Sequence, residues 1–190
     1  MEHRTTAQLL EGLTAVATSP SDEGVLALIA LRPTPGARVV ATTATLSVEE
    51  GVVGDGWRQR GSRHTSDGTA EPERQVTIAN IRALDLVAGD RDRVPLAGDQ
   101  LYVDLDLSAE NLPTGTRLHL GEAVLEISAA PHTGCAKFAD RFGMDAARLA
   151  NSPEGRRWNV RGINARVVRS GTIRVGDRIT LTRCLPSTSA

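Results

Sequence analysis

Residues 99–107 read DQLYVDLDL. Leu101, Val103, Leu105 and Leu107 fall on one face of an extended chain, and Tyr102, Asp104 and Asp106 on the other. That period of two marks a half-buried β-strand. Asp104 and Asp106 then lie on its wet face, a better account of them than a general acid–base pair. Glu110-Asn111-Leu112-Pro113 breaks the strand.

Working outward, short strand-like runs separated by turns recur on both sides. Upstream, residues 25–31 (VLALIAL) form a buried apolar run, Arg32-Pro33-Thr34-Pro35-Gly36 turns, and residues 38–48 (RVVATTATLSV) are rich in β-branched side chains. These two resemble a hairpin. Residues 74–79 (RQVTIA) read as a strand and residues 80–87 as a short helix. Downstream, residues 116–120 and 123–128 form a hairpin turning at Gly121-Glu122, and residues 163–168 and 177–182 are further strands around a Ser170-Gly171 turn. Helical spacing is confined to residues 5–17, 136–142 and 145–150. Many short strands with few helices predict a mainly β fold, a β-barrel with a few short helices and an N-terminal helix. Residues 51–73 carry five glycines and little apolar periodicity and read as a long loop, with Gly54 to Arg58 ordered around Trp57 and His64 solvated.

The chain has 190 residues, 40% of them hydrophobic and 3% aromatic, so its core must be built from aliphatic side chains. Residues 1–24 are expected as a helical extension, 25–183 as the barrel domain and 184–190 as a tail. A net charge of −1 with both signs interspersed excludes a general nucleic-acid binder, which needs a basic face. The N-terminus has mixed charge and no apolar h-region, so it does not read as a secretory signal, and no run approaches a transmembrane span. Two cysteines without a CxxC predict a reducing, cytoplasmic setting rather than a disulfide framework.

One of those cysteines carries the chemical interest. Residues 128–140 read SAAPHTGCAKFAD, with His132 three positions before Cys135, Gly134 beside it and Lys137 two positions after. Nearby positive charge and a helix start favour the thiolate, the nucleophile and soft metal ligand. The competing reading is a cysteine acting as a small core hydrophobe. The four histidines have no zinc-type spacing, so Cys135 is at most a single ligand to a metal carried by a cofactor. Neither a GxxxxGKS loop nor a GxSxG elbow is present. Arg156, Arg157, Arg161 and Arg166 follow the cysteine, and forked guanidiniums suit phosphate or carboxylate. A solvated face is the alternative for Arg156 and Arg157.

From GVVGDGW and RQVTIAN, through GDQLYVDLDLSAENLP and PHTGCAKF, to RGINARVVRSGTIRVGD, the chain resembles a MOSC domain over about Val25 to Arg183. This module ends molybdenum cofactor sulfurases and also stands alone in bacteria. The resemblance implies a MOSC-type β-barrel in which Cys135 matches the family cysteine. In relatives that reduce N-hydroxylated compounds, that cysteine ligates the molybdenum of a pterin cofactor; in sulfurases the domain is thought to receive or present the cofactor or its sulfur. Carried onto this chain, Cys135 is the catalytic residue and molybdenum ligand. Arg157, Arg161 and Arg166 hold the cofactor's phosphate, and Asp55, Trp57, His132 and Lys137 shape the pocket. An electron-donor or sulfur-donor protein is the implied partner. The chain departs from the family in two respects. Several branches place arginine where His132 stands, and the pyridoxal-phosphate desulfurase domain of the sulfurases is missing from these residues. Three readings remain open: a molybdenum-dependent oxidoreductase, a non-catalytic sulfur or cofactor carrier, and an orphan barrel with a structural cysteine.

Overall fold

The computed structural model describes residues 3–183; Cys184 and the expected tail, 184–190, lie outside them. In chain order the elements are α1 (Thr6–Ala17), β1 (Glu23–Leu31), β2 (Val39–Ala41), β3 (Thr43–Ser47), β4 (Gly51–Val52) and α2 (Trp57–Arg60). Then come β5 (Val76–Asn80), α3 (Ile81–Ala88), β6 (Leu101–Asp104), β7 (Arg117–Leu120) and β8 (Ala123–Ile127). The chain continues with α4 (Ala136–Phe142), α5 (Met144–Asn151), α6 (Pro153–Arg157), β9 (Ile163–Arg169), β10 (Gly171–Arg174) and β11 (Arg178–Thr182). A 3-10 segment, Arg91–Ala97, leads into β6.

Seven strands close on themselves in the order β1-β11-β7-β8-β9-β5-β6, and β6 returns to β1. Every pairing is antiparallel except β5 with β6. Closure removes the exposed edges that a flat sheet would present. Strand β2 adds to β1, whereas β3 pairs with β10 and β4 in a separate three-stranded sheet. The expected single strand over 38–48 is therefore divided between two sheets, and the chain past the Ser170-Gly171 turn makes one strand more than the sequence reading gave. The expected 51–73 loop contains β4, α2 and a 3-10 turn, Pro72–Arg74.

The alternation of 99–107 is realised on one face only. Leu101, Val103, Leu105 and Leu107 fill the barrel interior with Leu26, Ile29, Ile78, Leu125 and Val167. Tyr102, expected on the wet face, is fully buried, because this outer face of β6 is covered by helices rather than by water. Its hydroxyl donates to the Val94 carbonyl (3.2 Å). Asp104 remains partly exposed and pairs with Arg82 of α3 (2.8 Å).

A second apolar cluster lies outside the barrel. Leu9, Leu13 and Val16 of α1 join Leu84 and Val87 of α3, Phe138 and Phe142 of α4, and Leu149 of α5. The spacing of the three α1 residues is that of one helical face, and Thr5 caps the helix in a reciprocal capping box with Gln8. No helix among the described residues is long and apolar enough to cross a membrane.

Candidate functional site

At the end of the barrel where β1 and β8 finish and β6 and β9 begin, the connecting segments converge on residues 94–99. Four consecutive carbonyls there each accept from a different arginine. Pro95 O takes Arg38 Nε (3.1 Å), Leu96 O takes Arg141 Nη1 (2.6 Å), Ala97 O takes Arg161 Nη2 (3.0 Å) and Gly98 O takes Arg32 Nη1 (2.8 Å). These carbonyls end the 3-10 segment, where only Pro95 O also accepts a backbone N–H, that of Gly98 (3.2 Å), so the guanidiniums satisfy them.

The next residue, Asp99, is completely buried and binds Arg161 Nη1 at 2.6 Å. Its other oxygen faces His132 Nδ1 at 3.6 Å, beyond hydrogen-bond distance, and neither atom has another partner. Arg161 Nε is likewise buried without a partner, and the guanidinium lies over the Phe138 ring, 5.0 Å from its centroid. Burial above all, and then the charge of Arg161, push His132 down to about 3, against the opposing pull of Asp99; Arg32 and Arg74 push the same way. His132 is thus a neutral imidazole near pH 7. A cleft of about 160 Å³ beside it is also lined by Pro113, Asn159 and Asn164.

This depressed value has a measurable consequence. Between the ordinary histidine value and the folded one, the unfolded chain holds a proton on His132 that the native state lacks, so stability falls as pH falls. At ~1.4 kcal/mol per pH unit, wild type should lose about 2 kcal/mol between pH 6.5 and 5 relative to His132→Gln. Urea denaturation of both proteins at the two pH values checks this. Parallel loss in both would show that His132 is not the group responsible.

Helix α4 ties Cys135 to this group. Cys135 is its N-cap: the carbonyl accepts from the backbone N–H of Phe138 (2.9 Å) and Ala139 (3.1 Å), while the thiol is exposed and makes no capping bond. One turn on, Phe138 supports Arg161, and Arg141 reaches Leu96 O. The preceding loop is held by side chains. Arg74 Nη1 donates to Pro131 O (2.7 Å), Asn164 Nδ2 to Ala130 O (3.0 Å) and the Gly134 N–H to Asn151 Oδ1 (3.2 Å). A Cβ on Gly134 would stand 3.0 Å from Asn151 Nδ2, so a side chain there would crowd that anchor.

Asp55 enters from the other side. Its buried carboxylate receives Arg32 through Nε (2.9 Å), Nη2 (3.0 Å) and the backbone N–H (2.8 Å), with Arg60 Nη2 at 3.4 Å and Gln100 Nε2 at 3.3 Å. Burial alone would raise its pKa; the hydrogen bonds and charge of Arg32, helped by Arg60, outweigh that and hold it below the ordinary carboxylate range. Gln100 Oε1 also accepts from Thr77, which ties the 51–60 segment to β5 and β6.

The structure therefore gathers His132, Arg161, Cys135 and Asp55 around one end of the barrel. Trp57, buried in α2, lines a different cleft with Glu49 and Thr69. Lys137 is exposed on α4. Arg157 is exposed over the Trp158 ring, and Arg166 pairs with Glu126 (2.6 Å) and Glu73 (3.8 Å) on the surface of β9. Arg32, Arg38, Arg74, Asp99, Gln100 and Arg141 are site residues that sequence reasoning missed. Asp99 had a signal: it has the parity of the inward-facing Leu101 and Val103, an odd place for a carboxylate. Arg32 also had one, ending a buried apolar run.

Among the described residues no group of three or more His, Cys, Asp or Glu side chains could hold a metal ion. The exposed Cys135 thiol is a single soft donor, so a metal held through it takes its other ligands from elsewhere.

A closed seven-stranded barrel with an exposed cysteine, Cys135, on the loop after its hairpin defines a small barrel module that presents a thiol at one end. The family model described as the MOSC domain matches residues 62–180, and the chain belongs to that family, which is linked to the molybdenum cofactor. Among solved structures, the YuaD protein from Bacillus subtilis superposes with a TM-score of 0.67 at 17% identity, over 86% of this chain and 97% of that one. YiiM from Escherichia coli gives a TM-score of 0.55 at 19% identity over 86% and 72%, and YiiM from Geobacillus stearothermophilus 0.54 at 14% over 84% and 75%. These likenesses are of fold. No curated protein sequence matches the chain.

Proposed function

We propose that this protein binds a molybdenum-pterin cofactor with Cys135 as the thiolate ligand, and that it supports two-electron reduction of N-hydroxylated compounds. The observation that carries this reading is the solvent-open thiol of Cys135, the N-cap residue of α4, whose next turn packs Phe138 under Arg161 of the buried Asp99–Arg161–His132 group. Membership of the MOSC family gives it context.

When bound, the cofactor supplies the two-electron redox centre. The chain's own residues do the rest. Gly134 and Asn151 fix the direction from which Cys135 meets its ligand. Asp99 holds Arg161 in place, and Arg161 packs over Phe138 of the helix that Cys135 begins. His132, neutral at physiological pH, turns Nδ1 to Asp99. Reduction of a hydroxylamine breaks one N–O bond, takes up two electrons and two protons and releases water; with the Cys135 thiol open to solvent, water supplies the protons. The electrons come from a separate donor protein.

Alkylation tests the role of the thiol. Iodoacetamide should label Cys135 quickly in the cofactor-free protein and slowly after loading with fresh molybdenum cofactor. Equal labelling in both states would contradict the reading. The exposure of Cys135 also favours a second reading, a sulfur carrier persulfidated at that residue by a donor protein. Added mass of one sulfur on Cys135, with no metal retained, would select it.

A further inference from the structure

We propose that the cleft beside His132 is the substrate pocket, and that Asn159 and Asn164 fit it to a small, uncharged compound whose N–H groups donate to their side-chain oxygens. The inference deepens the cofactor reading and rests on it for the reaction, while the binding claim stands on the cleft alone.

Both asparagines line that cleft together with His132. Asn159 is the one non-glycine residue with a positive φ, 45°, among the described residues, a conformation that asparagine tolerates. Its Nδ2 donates to the Leu107 carbonyl (2.7 Å). Asn164 is the second residue of β9, and its Nδ2 donates to the Ala130 carbonyl (3.0 Å). A carbonyl oxygen can take only the nitrogen end of a carboxamide, so each bond fixes its amide and leaves the oxygen end over. Among the described residues neither Oδ1 has a donor. Asn164 is 2% exposed, yet its Oδ1 is not sealed off, so the cleft is the opening that reaches it. An enclosed carboxamide oxygen without a donor is an incomplete set that a ligand's N–H completes.

The rest of the lining sets charge and size. Among the described residues no Asp, Glu, Lys or Arg lines the cleft: Leu112, Pro113, Ile127 and Ile163 wall it, and His132 is neutral near pH 7. An ion entering it would lose hydration without gaining a counter-charge. A carboxylate would also set its oxygens against those of the asparagines. About 160 Å³ is room for a benzene-sized ring. The cleft also lies close to the thiol, because three residues of chain from His132 to Cys135 span at most about 11 Å.

NMR titration of the isotope-labelled, cofactor-free protein at pH 7.5 tests the pocket with three probes of similar shape: benzamidoxime, benzamide and benzoate. The first two should saturate and shift the side-chain amide signals of Asn159 and Asn164, and benzoate should bind at least about tenfold more weakly. Asn159→Gly keeps the left-handed backbone and removes one acceptor, so it should weaken benzamidoxime about fivefold, the scale of one neutral hydrogen bond. Thr114→Trp places a large ring at an exposed position on the cleft wall and should block benzamidoxime while the protein unfolds at the same denaturant concentration. Benzoate bound as tightly as the amidoxime, or shifts that miss both asparagines, would overturn the proposal. So would loss of benzamidoxime binding on loading with molybdenum cofactor, which would make the cleft a seat of the cofactor itself. Benzamidoxime in the cleft without molybdenum retention through Cys135 overturns the cofactor reading alone; molybdenum retention with no probe in the cleft overturns this pocket alone.

Discussion

Replacing Asp99 by alanine should destabilise the protein by about 3–5 kcal/mol, the usual cost of removing one partner of a buried ion pair. Arg161 is the reason. Its side chain is 8% exposed and, among the described residues, its one carboxylate partner is Asp99 at 2.6 Å. With Asp99 gone, the guanidinium keeps the Ala97 carbonyl and the Phe138 face but loses its counter-charge, while its Nε already lacks a partner. Asp99→Asn should cost less, because an amide oxygen can still accept from Nη1. Arg161→Met should cost about as much as Asp99→Ala, because it leaves the completely buried Asp99 carboxylate without its counter-charge. Denaturant unfolding of the three variants gives the order; a loss below about 1 kcal/mol for Asp99→Ala would mean that water reaches Arg161 and the site is not closed.

Asp55→Ala should be about as damaging, again about 3–5 kcal/mol, because the same physics applies to Arg32. Asp55 collects three N–H groups of Arg32 together with the Gln100 amide. The loss is then propagated to the 51–60 segment, which that carboxylate fastens to the barrel. The sign of the pH dependence follows from the depressed native pKa. The unfolded carboxyl protonates first as pH falls, so the contribution of Asp55 is complete above its unfolded value and is lost as pH drops through the folded one. Asp55→Asn should therefore show its full penalty at pH 7, and the gap to wild type should close only below about pH 4. A gap that closes already near pH 6 would assign the effect to another group.

The barrel was legible because its inward faces are period-two aliphatic runs: the parity of Leu101, Val103, Leu105 and Leu107 survives unchanged in the core. Tyr102 misled because alternation reports which residues share a face, not what covers the other face; helices packed outside the barrel decide that. Residues 38–48 were ambiguous for a related reason. β-propensity marks extended chain but not its partner, and here the partner changes after Ala41. In the site, Cys135, His132, Arg161 and Asp55 could be singled out from motifs. The arginines that surround them could not. Arg32 and Arg38 lie in the connection from β1 to β2 and Arg141 lies on α4, and they meet only because barrel closure brings that connection, α4 and the 94–99 segment to one end. Arg157 and Arg166 lay nearer in sequence, yet both are exposed, one on Trp158 and the other on Glu126.

The central claim is that Cys135 is the protein's ligand to cofactor-borne molybdenum, and metal content tests it most directly. Wild type and Cys135→Ser would be incubated with fresh molybdenum cofactor, desalted and assayed for molybdenum by mass spectrometry. Near-stoichiometric metal in wild type, lost in Cys135→Ser while the variant unfolds at the same denaturant concentration, is the predicted result. Equal retention by both proteins, or none by either, would contradict it.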